Sequence, residues 1–193
     1  MEITTDSIKE LREMTGVSVM QCKKALTEAG GDLEKAKVIL KKHSAASAQK
    51  KADRTLAAGI IGTYIHDGTV GAMVVLSCET DFVAKNPEFG VLAREIAMQI
   101  TATSPSYTST DEIPAEAKRS ATAVFQKEVA SKPKAMQAKI LDGKLSDYFR
   151  DQVLLEQAFI KDENKTIQNL LNEATQKFGE RIEVSRFMRL SVR

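Results

Sequence analysis

Apolar residues in the first fifty positions recur at helical spacing, in three short runs that begin at capping residues and end at or near glycine. The first begins at the Thr4–Ser7 cluster and ends at Gly16, and the second begins with a Ser18-x-x-Gln21 capping box. Asp32 caps the third. The pattern predicts three amphipathic helices that close into a small bundle. The apolar positions are Ile8, Leu11 and Met14; Val19, Cys22, Leu26 and Ala29; and Leu33, Ala36, Ile39 and Leu40.

Residues 41–59 are rich in Ala, Ser and Lys and carry no wide apolar stripe. We interpret them as a helical extension that becomes a linker. Their basic side chains are candidates for phosphate contacts, but a solvated charged face is more typical of a run this diluted by alanine. The predicted domain bounds are an N-terminal module at 1–45, a linker at 46–58 and a core domain at 59–193.

The periodicity changes from helix to strand at Gly59. The runs "IIGTYIH" and "TVGAMVVLSC" flank Asp67-Gly68, a dipeptide that strongly favours a two-residue hairpin turn. The second strand is apolar on both faces at Val74, Val75 and Leu76. We therefore predict a central strand that is covered on both sides.

Helical patterns dominate the rest of the chain. Asn86-Pro87 begins a helix with a continuous apolar stripe, and two long, thinly apolar helices between about 115 and 150 predict a protruding antiparallel helical hairpin. A short buried connection, one further helix ending at Gly179 and a final alternating strand complete the pattern. The predicted fold class is α+β: a helical bundle, then an antiparallel sheet layered with helices. The stripe after Pro87 consists of Phe89, Leu92, Ala93, Ile96, Ala97 and Ile100.

Charge and composition exclude several classes of protein. Lys and Arg number 28 against 26 Asp and Glu, so the net charge of +2 gives no broad positive field for direct nucleic-acid binding. The two cysteines, Cys22 and Cys78, are expected to be small buried hydrophobes of a reduced protein. The N-terminus lacks an apolar targeting region, and no stretch approaches the roughly 20 apolar residues of a membrane span. We expect a soluble, cytoplasmic protein.

Motifs for catalysis, metals and cofactors are absent from the sequence. It contains no Gly-rich phosphate loop, no paired-cysteine or His-x-x-x-His spacing, and no Gly-x-Ser-x-Gly elbow. His43 and His66, the two histidines, lie far apart in predicted helix and hairpin. We therefore expect neither a cofactor nor covalent chemistry, and predict that the protein is not an enzyme.

The segment "CETDFVAKNPEF" places Phe82 between a strand end and a new helix start. Taken alone, the residues favour a core aromatic that anchors the first helical turn, because most aromatic rings are buried.

Four segments resemble the bacterial elongation factor Ts family: "ELREMTGVSVMQCKKALTEAGGDLEKA", "CETDFVAKN", "LLEQAFIKD" and "RIEVSRFMR". These matches are long, ordered and spread over the whole chain. The resemblance implies that the N-terminal bundle is of the ubiquitin-associated type. It also implies nucleotide exchange on elongation factor Tu, in which GDP is released so that GTP can bind.

The resemblance further implies a role for Thr80, Asp81, Phe82 and Val83, the stretch that dislocates magnesium from the partner GTPase in that family. Phe82 is then a wedge rather than a core residue, and Asp81 steers or caps the tip. Because magnesium requires near-ideal octahedral geometry, a small shift of its surroundings weakens its binding sharply.

Partner contacts in the N-terminal module are implied at Arg12, Val19 and Met20. Val19 stands where methionine is common in the family, and a core position in the second helix is an equal alternative for it. His66 is a candidate contact from the hairpin edge, although an exposed edge histidine is the plainer interpretation.

The chain resembles the short form of the family, since it has one hairpin where longer members have two. This predicts a homodimer, in which two chains supply the two halves. Met188 stands where the short form has a cysteine, so a disulfide through that position is excluded, and Ala158 replaces a usual proline.

The sequence also bears on two other classes of function, RNA binding and small-molecule catalysis. An RNA-binding or ribosome-associated protein would use the Lys-rich segment and the hairpin, but the near-neutral charge argues against it. A small-molecule enzyme requires convergent titratable groups, for which the sequence offers no candidate set.

Overall fold

The computed structural model describes residues 3–131 and 133–192. Residues 1, 2, 132 and 193, which the predicted domain ranges include, lie outside the described residues. In the described part of the chain the helices are α1 (Thr5–Thr15), α2 (Val19–Glu28), α3 (Leu33–Gln49), α4 (Asp81–Ala84), α5 (Pro87–Thr103), α6 (Ala115–Val129), α7 (Lys134–Arg150) and α8 (Ile167–Phe178). The strands are β1 (Ala58–His66), β2 (Val70–Cys78), β3 (Ala158–Phe159), β4 (Asp162–Thr166) and β5 (Glu183–Ser191). This mixture confirms the α+β class.

The chain divides into two compact units. Unit 1 comprises Met1–Ile61, Val75–Ala93 and Gln168–Val184, and unit 2 comprises Gly62–Val74, Arg94–Ile167 and Ser185–Arg193. The N-terminal helices therefore share a unit with residues from the middle and the end of the chain, whereas the predicted bounds kept residues 1–45 apart from a single core at 59–193.

The N-terminal bundle of unit 1 has the predicted caps. The side chains of Thr4, Ser18 and Asp32 each accept a backbone N–H at the start of a helix. Met14 and Val19, which the pattern assigned to the apolar stripes, are instead 55% and 49% exposed. Helix α3 continues to Gln49, in line with the predicted helical extension. The core consists of Leu11, Val17, Cys22, Ala25, Leu26, Ala36 and Leu40.

The three-stranded sheet has the order β1-β2-β5, so β2 is central as predicted. The hairpin turn is confirmed, because Asp67 and Gly68 both have positive φ (48° and 66°), as a type I′ turn requires. Only one face of β2 is buried, through alternate residues that include Val74 and Leu76. The prediction that β2 is covered on both sides is wrong for the single chain, because Met73 on the opposite face is 46% exposed.

Helices α6 and α7 of unit 2 form the predicted helical hairpin. They pack on each other, and Ala121 and Phe149 join Ile113 and Val153 in a small buried cluster. Phe149 and Phe125 also contact Tyr148 edge-on, with ring centroids 4.9 and 5.5 Å away. The few apolar residues of the two helices are therefore enough for one narrow line of contact between them.

Strands β3 and β4 form a second, two-stranded sheet that the sequence did not indicate. Its first strand lies within "VLLEQAFIKD", the segment whose sequence predicts a short buried connection. Gln99 of α5 explains the local order, because its fully buried amide bonds to the backbone on both sides of Phe159: it donates to the Ala158 carbonyl at 3.1 Å and accepts the Ile160 N–H at 2.9 Å. The hydrogen bonds of this buried amide therefore hold β3 in place. With only two residues, β3 is too short to show an alternating pattern in the sequence.

Candidate functional site

Phe82 lies on α4, a helix of only four residues, and is 82% exposed. The next residue, Val83, is 4% exposed, so the helix directs one side chain inward and its neighbour into solvent. The interpretation of Phe82 as a core aromatic is therefore wrong. A large ring held in water at a defined position has the character of an interface anchor.

Thr80 caps α4 from an extended backbone conformation. Its hydroxyl oxygen accepts the Val83 N–H at 3.5 Å, which satisfies one of the unpaired donors of the first turn. The Cys78 thiol donates to the Thr80 carbonyl at 3.2 Å. Thr80 is thus fixed from both its side chain and its backbone.

Asp81 stands beside Phe82 and forms an exposed ion pair with Lys85, at 2.6 Å. The hydrogen bond from Lys85, together with its positive charge, lowers the pKa of the Asp81 carboxyl. Because both partners are exposed, this pair adds little to stability. The pair places the Asp81 carboxylate and the Lys85 cation side by side next to the ring.

Glu79 precedes this segment and is held by two arginines. Its carboxylate accepts the backbone N–H of Arg181 at 2.6 Å and the Arg54 guanidinium at 3.2 Å. Burial acts to raise the pKa of Glu79, but these two hydrogen bonds outweigh it and hold the pKa below its ordinary value. Arg181 in turn donates to the Arg54 carbonyl at 2.7 Å. The three residues form a closed network in unit 1.

Glu180 lies next to that network and bonds to the same backbone. Its carboxylate accepts the N–H groups of Glu79 and Thr80 at 3.1 and 3.0 Å, and the Thr80 hydroxyl at 2.6 Å. The backbone that leads to Phe82 is therefore held by a residue one hundred positions away in the sequence.

Exposed side chains of the N-terminal module also belong to unit 1. Met20 is 83% exposed at the first turn of α2, and Arg12 is exposed near the end of α1. Val19 is 49% exposed and lies outside the core that contains Cys22 and Leu26, so the core alternative for Val19 is wrong. All three side chains are accessible to a partner, and their contact with one remains a prediction.

His66 is in unit 2, at the end of β1. Its Nδ1 lies 3.1 Å from the Tyr64 hydroxyl and its Nε2 lies 3.6 Å from the Asp67 carboxylate. Arg94 stacks over the Tyr64 ring at 5.4 Å. The histidine is an exposed edge residue, and its role in partner contact stays a prediction.

A second exposed apolar surface lies on the sheet of unit 2, and we call it the open sheet face. Among the described residues, none that lines the shallow depression at its centre is charged. Its large side chains are between 46% and 74% exposed. They are Ile65, Met73, Met188, Leu190 and Val192.

Sequence reasoning missed Glu180, Arg181 and Arg54. The available signal was weak: Gly179 has φ 78° and ends α8, so polar residues that follow it are free to turn back toward another segment. Nothing in their spacing relates them to Thr80. The pairing depends on tertiary structure alone.

Within residues 3–131 and 133–192, no three His, Cys, Asp or Glu side chains are grouped as a metal site would require. The same stretch of chain contains no helix that is long and apolar enough to cross a membrane.

Comparison with known proteins gives a consistent result over the whole chain. The family model described as elongation factor TS matches residues 49–193. An elongation factor Ts of Thermotoga petrophila is 46% identical over 193 residues, which cover 100% of this chain and 97% of that protein. The corresponding protein of Thermodesulfovibrio yellowstonii is 47% identical with the same coverage. That of Geobacter sp. strain M21 is 46% identical over 190 residues, covering 97% of this chain and 88% of its own length.

Proposed function

The chain belongs to the elongation factor Ts family of translation elongation, and on this premise we propose that it is a nucleotide exchange factor for elongation factor Tu. It binds the GDP-bound GTPase, displaces the magnesium ion and promotes GDP release in the cytoplasm. No bond is made or broken in this process, so the protein acts as a binding partner rather than an enzyme.

One observation carries the proposal: Phe82 is 82% exposed on a short helix whose start is pinned by hydrogen bonds. Burying a phenylalanine ring in a partner stabilises a complex by about 2–3 kcal/mol. A ring that enters beside the nucleotide site moves the groups around the metal. Magnesium tolerates such movement poorly, and it bridges the phosphates that hold the nucleotide.

Binding linkage limits what this contact must achieve. The exchange factor and GDP must weaken each other's binding to the GTPase by the same factor. A hundredfold effect corresponds to about 2.8 kcal/mol of differential binding, which lies within the range of one or two interface anchors. Exposed Arg12, Val19 and Met20 are proposed to supply binding that does not depend on the nucleotide.

We also propose that the protein is a homodimer joined through the open sheet face. Its apolar side chains surround Met73, which lies on the central strand of the sheet. The face of a central strand is normally covered, and an exposed apolar patch at such a position is typical of a protein–protein interface. The described residues that line the depression are uncharged, so two copies can bring these side chains together without electrostatic repulsion among them. A two-fold axis places the same patch on both sides of the interface, as a sheet-on-sheet contact requires.

Stopped-flow release of a fluorescent GDP analogue from elongation factor Tu tests the exchange activity. We expect the native chain to accelerate release in a manner that saturates with its concentration, and excess magnesium to oppose it. Bovine serum albumin at equal concentration controls for nonspecific effects. Release at the spontaneous rate would refute the exchange function.

A further inference from the structure

Glu180 does not belong to the exposed segment that the family resemblance singles out, yet its carboxylate receives three hydrogen bonds from the residues just before Phe82. Two come from the backbone N–H groups of Glu79 and Thr80, at 3.1 and 3.0 Å, and one from the Thr80 hydroxyl at 2.6 Å. Hydrogen bonds to a charged acceptor are shorter and stronger than neutral ones.

The hydroxyl bond determines how Thr80 caps α4. A threonine hydroxyl has one proton to donate and two lone pairs to accept with. Because its proton is directed to Glu180, a lone pair remains for the Val83 N–H at 3.5 Å. Glu180 therefore orients the cap, and the cap orients the first turn that carries Phe82.

A reciprocal bond locks the two segments together. The carboxylate of Glu180 receives the N–H groups of residues 79 and 80, while the carboxylate of Glu79 receives the N–H of Arg181 at 2.6 Å. Each segment thus supplies both an acceptor side chain and backbone donors to the other. A relative slide of the two segments would break bonds in both directions.

Glu180 itself is held at both ends. Before it, Gly179 ends α8, and the preceding Phe178 packs edge-on against buried Phe89 with ring centroids 5.8 Å apart. After it, Ile182 and Val184 are buried at the start of β5. The backbone on both sides of Glu180 is therefore anchored by buried side chains other than those of the segment that its carboxylate binds.

Helix α4 cannot define its own orientation. Four residues make a single turn, and an isolated turn is unstable in water because helix nucleation is unfavourable. Val83 supplies only one buried anchor. The direction of the Phe82 ring therefore depends on the groups that hold the two ends of α4, and Glu180 and Thr80 hold the first of them.

We propose that Glu180 is a positioning residue for Phe82: its carboxylate orients Thr80 and the start of α4, so that the ring is presented to the partner in one orientation. This inference rests on the proposed exchange function. Preorganising the ring removes the cost of ordering it during binding. The maximal rate of nucleotide release, rather than binding of the remaining surface, is the quantity that depends on it.

Glu180→Gln provides the test, because the amide keeps the size of the side chain but removes its charge and replaces one of its two acceptor oxygens by an NH2 donor. We expect the maximal rate of GDP release at saturating concentration to fall about tenfold, the scale of one charged hydrogen bond, with a smaller change in the half-saturating concentration. Thr80→Val removes the hydroxyl while Glu180 keeps its backbone bonds, and should lower the rate in the same direction.

The Phe82→Ala background separates positioning from general destabilisation. If Glu180 acts through the ring, Glu180→Gln should have no further effect once the ring is absent, since residues that act as a unit are not additive. Glu88→Gln is the matched control, because Glu88 is in the same unit and pairs with Lys177 at 2.8 Å on the surface. It should keep the native rate.

The outcomes are distinct. A native rate for Glu180→Gln, or an equal loss in the native and Phe82→Ala backgrounds, would overturn the positioning role while the exchange function stands. If Glu180→Gln does not fold, the comparison of Thr80→Val in the native and Phe82→Ala backgrounds gives the same decision. Failure of the native chain to accelerate release would remove the exchange function and the positioning role together.

Discussion

The Phe82 tip and the open sheet face are both exposed and apolar, but they are built in opposite ways. The tip is one ring on a four-residue helix, held from behind by Glu180 and Thr80. The sheet face is broad, carries five large apolar side chains and lies on regular strands. One surface is narrow and pinned, and the other is wide.

This difference indicates different partners. A broad apolar surface gains affinity from area and suits a lasting contact with a surface of the same shape. A single preorganised ring gains little from area, and suits insertion at one point in a partner that must later be released. We therefore propose that the same chain uses one surface for assembly and the other for transient contact with its partner.

The largest expected effect comes from a charge on the open sheet face. Leu190→Glu places a carboxylate that must lose its water in the proposed interface, at a cost of several kcal/mol per chain. We expect a monomer in sedimentation equilibrium, whereas Val124→Glu, at a 57% exposed position on α6 in the same unit, should remain dimeric. A native chain that is monomeric at micromolar concentration would refute the proposal that the open sheet face joins two copies.

A smaller effect is expected from Met20→Ala at the N-terminal module. Loss of an exposed methionine that becomes buried in the complex should raise the half-saturating concentration for GDP release about tenfold, from roughly 1–2 kcal/mol of lost burial. The maximal rate should stay near the native value. Val38→Ala, at a 56% exposed position on α3, is the control. A lower maximal rate with unchanged half-saturation would assign Met20 to the exchange step instead.

The smallest effect concerns pH and the network behind the tip. Because the pKa of Glu79 lies below 4.5, its ordinary value, its contribution to stability is complete above that pH and is lost as the pH falls through the folded pKa. Glu79→Gln should lower the midpoint of thermal unfolding at pH 7 by about 2–4 °C. The midpoint of this variant should also fall less than that of the native chain when the pH is lowered from about 5 to about 3.

Glu10→Gln, at an exposed carboxylate on α1, serves as the control for that experiment. An equal decline in the native chain and the Glu79 variant would show that the network contributes no pH-dependent stability.

Most helices, strands and turns could be predicted from local patterns in the sequence. Caps such as Ser18, the Asp67-Gly68 turn and the stripe after Pro87 are properties of neighbouring residues, so their elements could be predicted. Exposure could not. Val19 fits a helical stripe and Met73 fits a buried strand, but whether a second surface covers them depends on the whole chain.

The candidate site divides in the same way. Thr80 to Val83 could be proposed only through the family resemblance, because an aromatic residue beside a helix start is ordinarily buried. Glu180 could not be proposed at all, since its contact with Thr80 joins residues one hundred positions apart.

Stopped-flow release of GDP from elongation factor Tu with Phe82→Ala tests the central claim most directly. Val91→Ala, at a 58% exposed position on α5, is the matched control, and binding to the nucleotide-free GTPase is measured in parallel. We predict that Phe82→Ala still binds but that its maximal release rate falls at least about thirtyfold, the effect of one interface hot spot, while the control keeps the native rate. Equal acceleration by Phe82→Ala and the native chain would contradict the account.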